Sequence, residues 1–183
     1  MDGEALRARA KRIAAVVFDV DGVLTDGSIL LDSSGAEIKR FNVKDGSGIK
    51  FLRRSGLILA IISGRESAAV DARARDLGIE HVYQGYKEKT RAFEDLKKRL
   101  SLDGEEFAYV GDDLPDVPVM RLCGLAVAVA DARPEVKAIA HHVTESAGGR
   151  GAAREFAEWL LKLSGRWQGI IERYFPEGGP PLE

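Results

Sequence analysis

The chain has 183 residues, 45% of them hydrophobic, a single cysteine and a formal net charge of −2. That length and apolar content suffice for one domain with a full core, and the nearly balanced charge argues against a polyanion-binding surface. Lone Cys123 excludes an intrachain disulfide framework and fits a reducing compartment.

At the start of the chain, MDGEALRARAKR lacks the apolar run of a secretory signal. Its basic residues alternate with alanine, as on the polar side of a short helix rather than in a nucleic-acid arm. No apolar stretch approaches the roughly 18 residues of a membrane span. The expectation is a soluble cytoplasmic domain without nucleic-acid or membrane partners.

Apolar, β-branched runs follow at 13–18, 57–62, 81–83, 107–110 and 125–129. Helical patterns separate them. Val70, Ala74 and Leu77 form a stripe stopped by Gly78; Phe93, Leu96 and Leu100 form another; Phe156, Trp159, Leu160 and Leu163 form a third. Asp45 is expected to cap a helix running through Leu52 and closed by Gly56. The interval 28–42 reads as a β-hairpin turning at Asp32-Ser-Ser-Gly35, although its second arm does not alternate cleanly.

This alternation predicts a doubly wound, Rossmann-like α/β fold: a mostly parallel sheet with helices on both faces, plus the hairpin. Residues 1–163 are expected to form the single domain. From 164 to 183 core signals thin out, and the end, EGGPPLE, is expected to be partly mobile.

In such sheets ligands bind beyond the carboxyl ends of the strands. Asp19 and Asp21 follow the first run, Ser63 the second, and Asp112, Asp113 and Asp116 the fourth. Clustered carboxylates repel one another, and a hard divalent cation relieves that repulsion. Oxygen ligands without a Cys or His cluster favour Mg²⁺ over zinc. The Ser63 hydroxyl suits phosphate oxygens, and Lys89, at the start of the next helical pattern, could complete charge neutralisation. Lys87 is its near rival.

The stretches DVDGVLTDG (19–27), SGR (63–65), Lys89 and GDDLPD (111–116) resemble the four ordered motifs of the haloacid dehalogenase-like phosphatase superfamily. That resemblance implies Asp19 as a nucleophile forming an aspartyl-phosphate. It implies Asp21 as proton donor and acceptor, touching the metal through its backbone carbonyl, and Asp112 as the main distal metal ligand. Asp113 and Asp116 would support the metal or Lys89, or cap the helix that follows. Ser63 and Lys89 would hold the phosphoryl group.

Neither 27–56 nor 64–88 has room for a folded cap domain beyond the hairpin. Without a cap, and with AGGRGAAREF at 147–156, the pattern resembles the phosphatases of 3-deoxy-D-manno-octulosonate 8-phosphate, which serve lipopolysaccharide precursor synthesis. The resemblance implies a homotetramer in which hairpins assemble and a glycine-rich segment reaches a neighbour's site. A sugar-acid phosphate also needs cations and polar groups for its carboxylate and hydroxyls. Gly64 and Arg65 beside Ser63, and the stretch Asn42-Val43-Lys44-Asp45-Gly46, are the candidates. Lys50 and Arg73 enter only through the resemblance. Arg150 reads either as a neighbour's contribution or as part of a flexible loop.

One rival phosphatase and two readings from other classes, a receiver domain and a silent scaffold, compete with this. Phosphatases of nonulosonate 9-phosphates share the scaffold but often carry an acidic residue where Arg65 stands. A phosphoacceptor receiver domain lacks the second aspartate. A catalytically silent oligomerisation scaffold would have lost motif residues, and none is missing. His141 and His142 read as a terminal strand or turn, Cys123, Phe156 and Trp159 as core, and Lys97-Lys98-Arg99 as a solvated helix face.

Overall fold

The computed structural model of the chain describes residues 3–175 and 177. Helix α1 (Gly3–Arg12) leads into strand β1 (Ala15–Phe18), whose four residues are all buried. A small hairpin, β2 (Leu30–Leu31) and β3 (Glu37–Ile38), precedes α2 (Val43–Arg54). Strands and helices then alternate: β4 (Ile58–Ile62), α3 (Ala68–Leu77), β5 (His81–Tyr83), α4 (Lys89–Leu100), β6 (Phe107–Gly111), α5 (Val117–Met120), β7 (Leu125–Ala128), α6 (Pro134–Ile139) and β8 (His142–Val143). Helices α7 (Ala152–Leu163) and α8 (Trp167–Ile171) are the last among the described residues.

The main sheet has the order β5-β4-β1-β6-β7-β8, with every pair parallel. The chain leaves β1 toward β4 on one side and later returns to β6 on the other. That reversal opens a crevice at the carboxyl end of β1, where α/β sheets bind ligands. Continuous apolar runs are what a strand covered on both faces requires. Phe18 meets Phe156 of α7 edge to face, 5.9 Å between ring centres, and Phe93 meets Phe107 at 5.0 Å. Gly48 lets α2 and α7 close tightly, because a side chain there would press on the Arg154 backbone. Gly78 ends α3 in the left-handed region at φ 69°.

The hairpin pairs Leu30 with Ile38 and Leu31 with Glu37, antiparallel. Asp32 Oδ1 accepts from Ser34 N (2.8 Å) and Ala36 N (2.9 Å), the local bonding that makes aspartate a turn residue. Among the described residues the regular elements between β1 and β4 are this hairpin and α2, and those between β4 and α4 are α3 and β5, so neither interval holds a folded cap.

Two features differ from the sequence reading. Asn42, not Asp45, caps α2, accepting from Lys44 N at 2.8 Å. Asp45 lies within the first turn and reaches across to the start of α7, where its oxygens accept from Gly151 N (3.2 Å) and Arg154 N (2.9 Å). The segment after 163 also carries more core than its composition promised. Trp167 and Ile170 are buried, Phe51 contacts both Trp167 and Tyr174 edge to face, and Arg54 donates to the Tyr174 hydroxyl at 2.7 Å. Of the stretch expected to be mobile, all but Glu177 lies outside the described residues. Among the described residues no helix is long and apolar enough to cross a membrane.

Candidate active site

Each site residue is fixed by the sheet or by the first turn after it. Asp19 continues the β1 ladder, donating its N–H to Val110 O at 3.0 Å. Ser63 does the same after β4, donating to Tyr83 O at 2.8 Å. Asp112 directly follows β6, and Lys89 is the first residue of α4. Together with Asp21, Arg65, Lys87 and Asp113 they line one cleft of about 340 Å³.

Lys89 Nζ lies 2.7 Å from Asp19 Oδ1 and 2.7 Å from Asp116 Oδ1. Asp116 is wholly buried and accepts also from the Tyr109 hydroxyl (2.7 Å) and from the N–H groups of Asp112 (3.0 Å) and Asp113 (3.2 Å). It thereby ties the turn after β6 to Lys89. Asp113 is exposed at the rim, where its Oδ1 accepts from Leu114 N at 2.8 Å. Of the two aspartates left open by the sequence, Asp116 is the internal one and Asp113 begins the short 3₁₀ turn.

Carboxylate oxygens of Asp19, Asp112 and Asp116 all lie within 4.8 Å of one another. Burial, then the Asp116 carboxylate, raises Asp19 to about 7 despite Lys89. Burial, then Asp19 and Asp116, raises Asp112 to about 8. Burial opposes the charge on Lys89, but the Asp19 and Asp116 carboxylates outweigh it and hold the ammonium above its ordinary value. Asp112 Oδ1 is buried without a hydrogen-bond partner among the described residues. One lysine does not balance three carboxylates, and an orphaned buried oxygen needs a partner. A hard divalent cation, held by oxygen donors, meets both needs, and the residues present fit magnesium.

The loop after Asp21 is drawn close by glycine. Gly22 stands at φ 96°, and a Cβ there would collide with the Asp112 carboxylate. Gly148 and Gly149 in turn lie against the Gly22 and Thr25 backbone, and Gly149 N donates to Val23 O at 2.9 Å. So the glycine-rich segment packs on the motif loop of its own chain, and Arg150 sits 3.6 Å from Asp26. The flexible-loop reading of these glycines fails because they serve close backbone contact.

Several residues expected at the substrate are not brought to the Asp19 cleft. Lys50 pairs with Asp76 at 3.4 Å. Arg73 contacts Asp76 (2.8 Å) and Asn42 O (3.2 Å) and lies over the Phe41 ring. Asn42, Asp45, Gly46 and Arg73 line a separate, small crevice with Phe41 and Leu24. Val43 is 78% exposed, Lys44 is exposed as well, and Asp45 is taken by α7.

Two residues that sequence reasoning missed, Glu37 and Lys39, join Arg65 beside Asp21. Lys39 Nζ contacts Asp21 Oδ1 and sits 3.3 Å from Glu37 Oε1. Arg65 donates to Glu37 at 2.7 Å and approaches Asp21 Oδ2 at 3.7 Å. The signal for them was the hairpin arm that failed to alternate. Tyr109, inside an ordinary apolar strand, gave none.

Comparison with known proteins places this geometry. Residues 79–156 match the family model of the haloacid dehalogenase-like hydrolases. The chain is 49% identical over 159 residues to the 3-deoxy-D-manno-octulosonate 8-phosphate phosphatase KdsC of Escherichia coli K12, covering 87% of this chain and 85% of the relative. It is 46% identical over 161 residues to that of Yersinia pestis, covering 88% and 86%. Among solved structures it resembles the Moraxella catarrhalis phosphatase of the same name, in complex with a magnesium ion, a phosphate ion and KDO. The TM-score is 0.91 at 41% identity, over 95% of this chain and 99% of that one. A probable YrbI family phosphatase from Pseudomonas syringae also gives a TM-score of 0.91, at 48% identity and 97% and 99% coverage. An unbroken motif set on the switch-point edge of a capless sheet agrees with this likeness over nearly the whole chain: it belongs to the haloacid dehalogenase-like hydrolases, in the 3-deoxy-D-manno-octulosonate 8-phosphate phosphatase family.

Proposed function

We propose that the chain is a magnesium-dependent phosphomonoesterase that releases phosphate from 3-deoxy-D-manno-octulosonate 8-phosphate through an aspartyl-phosphate on Asp19. The observation that carries the proposal is the clamp of Lys89 between Asp19 and Asp116, 2.7 Å from each, beside the unsatisfied Asp112 carboxylate. Such a clamp fixes a nucleophile and a phosphoryl-binding cation together, and phosphoryl transfer asks chiefly for positioning and charge.

Asp19 and Asp112 would hold the metal with the Asp21 backbone carbonyl, and Asp113 supports from the rim. Asp116, already accepting from Lys89, Tyr109 and two backbone N–H groups, serves Lys89 instead. Bound magnesium supplies positive charge that offsets the phosphoryl oxygens and the carboxylate repulsion. Asp19 attacks phosphorus as the bond to the sugar oxygen breaks, and Asp21 gives that oxygen a proton. Water then attacks phosphorus, Asp21 takes its proton, and Asp19 is freed. The Ser63 oxygen accepts from Arg65 N at 3.2 Å, which leaves its hydroxyl proton for a phosphoryl oxygen.

Arg65, half-exposed over the cleft, presents a planar fork suited to the carboxylate of the sugar acid. The hairpin's outward Ile29, Leu30, Leu31 and Ile38 are exposed apolar residues at the mouth of a capless site. They support assembly of the hairpins into a homotetramer, which would shield the cleft. A buried, unpaired Cys123 accords with a cytoplasmic location.

The test is phosphate release with Mg²⁺ from the eight-carbon 8-phosphate, a nine-carbon 9-phosphate, simple sugar phosphates and p-nitrophenyl phosphate. The proposal expects the highest kcat/KM for the eight-carbon acid. Equal rates on all esters would discard the named substrate, and no release from any would favour a silent scaffold.

A further inference from the structure

The hairpin carries its polarity inside out. Along a strand, successive side chains face opposite ways, and here Ile38 is 52% exposed while its charged neighbours Glu37 and Lys39 turn inward. The Lys39 side chain is only 2% exposed. A buried ammonium is costly unless paired, and this one is paired with Asp21 Oδ1 and with Glu37 Oε1, 3.3 Å away. Arg65 closes the ring, binding Glu37 at 2.7 Å and standing 3.7 Å from Asp21 Oδ2. Two carboxylates, one of them the Asp21 group assigned to move the proton, and two cations therefore alternate in a ring.

The two oxygens of Asp21 are not equivalent in this ring. Oδ1 is engaged by the Lys39 ammonium, whereas the Arg65 contact to Oδ2 is longer than a hydrogen bond. An oxygen that accepts from an ammonium is poorly placed to carry a proton. Oδ2 is left to do so.

We propose that Lys39 is a positioning residue for the hydrolysis: it anchors Asp21 through Oδ1, so that Oδ2 gives the proton to the departing sugar oxygen and later takes one from the attacking water. Glu37 contacts both Lys39, at 3.3 Å, and Arg65, at 2.7 Å, linking the proton-transfer residue to the group that reads the sugar acid. This rests on the assignment of Asp21 as proton donor. The proton and the electron pair balance: the sugar oxygen keeps the pair of the broken P–O bond and receives the Oδ2 proton, and the attacking water returns one to Oδ2.

The consequence depends on the leaving group. A sugar alkoxide is a poor leaving group and needs the proton, whereas p-nitrophenolate departs without it. The quantity to compare is kcat/KM, which covers the steps through departure of the alcohol, for p-nitrophenyl phosphate and for a simple sugar phosphate without a carboxylate. Omitting the carboxylate keeps any disturbance of Arg65 out of the comparison. Lys39→Met is expected to lower kcat/KM for the sugar phosphate by about tenfold or more while changing that for p-nitrophenyl phosphate by less than about threefold, with Lys39→Arg recovering part of the loss. Should Lys39→Met fail to fold, as judged by near-UV circular dichroism, Lys39→Gln is read in the same way.

Asp21→Asn is the reference variant. A leaving-group difference in Asp21→Asn but none in the Lys39 variants would overturn the role of Lys39 alone. Its absence from both would overturn the Asp21 assignment and the proposal with it. Its presence in both, with partial recovery by Lys39→Arg, is the result expected.

Discussion

Lys89 and Asp116 are joined at 2.7 Å with side chains only 5% and 1% exposed. Such a pair is stable only because every lone pair is used: Asp116 also accepts from Tyr109 and from two N–H groups of the turn that carries Asp112. Removing one partner from a buried ion pair leaves the rest uncompensated, typically at about 3–5 kcal/mol. Asp116→Ala is therefore expected to lose about that much stability in urea denaturation. It is also expected to lower kcat, because Lys89 and the Asp112 turn lose their common anchor. A variant as stable as the parent would show that the clamp is not what holds the edge together.

Asp19→Asn separates catalysis from stability in the opposite direction. The nucleophile disappears, so turnover is expected to stop. One of the three crowded carboxylates also disappears, and with it the Asp19 share of the repulsion that adds to burial in raising Asp112. In EDTA the variant is expected to melt above the parent, by about 2–4 °C for each kcal/mol of relief in a chain of this size. A lower melting temperature without metal would mean that the Asp19–Lys89 bond outweighs the repulsion.

What could be read from the sequence was what one strand and its next few residues determine. Apolar runs ended in Asp19, Ser63 and Asp112, and parallel topology then brings such ends to one edge, so the cleft was legible. What needed a second, distant segment was not. Asp45 looked like a local cap because capping signals are read within four residues, yet its partners are the N–H groups of Gly151 and Arg154. The glycines at 148 and 149 read either as a flexible loop or as a segment reaching a neighbour's site, and nothing local signalled the backbone contact they make with Gly22 and Thr25. Lys39 was hidden by an inverted strand, since polar residues are ordinarily assigned to the outer face. Trp167 and Ile170 stood in a stretch too sparse for periodicity to speak, yet both are buried, Trp167 against Phe51 of α2.

Removal of the metal should make stability depend on pH in a defined direction. Asp19 and Asp112 rise from the ordinary 3.8 to about 7 and about 8 in the folded chain. The fold then retains protons that the unfolded chain has released, so stability falls as pH rises across that interval. The contribution is fully present below 3.8 and is lost as pH passes through 7 and 8. A cation must displace those protons to bind, so its stabilisation grows over the same range. Melting curves between pH 5 and 8 are expected to show a declining Tm in EDTA and a widening gap to the curve in Mg²⁺. A gap that narrows with pH would contradict the shared-cation account of these carboxylates.

The last prediction concerns Gly148, which touches no catalytic atom. A Cβ at this position would collide with the Gly22 carbonyl oxygen and press on the Thr25 carbonyl. Gly22 in turn faces the Asp112 carboxylate with no side chain between them, and Asp21 is its neighbour. Overpacking of a close contact typically costs about 1–3 kcal/mol, and here the displaced backbone is the loop that follows Asp21 and faces the Asp112 carboxylate. Gly148→Ala is thus expected to reduce both the urea midpoint and kcat. Gly169→Ala is the control: it lies in α8 with nothing within 4 Å of an added Cβ, and a helical glycine-to-alanine change is expected to stabilise by about 0.5–1 kcal/mol. If Gly148→Ala left kcat untouched while lowering stability, the glycine-rich segment would support the fold without supporting the site. A loss of kcat that exceeds the loss of folded protein would make the segment part of the active site's frame.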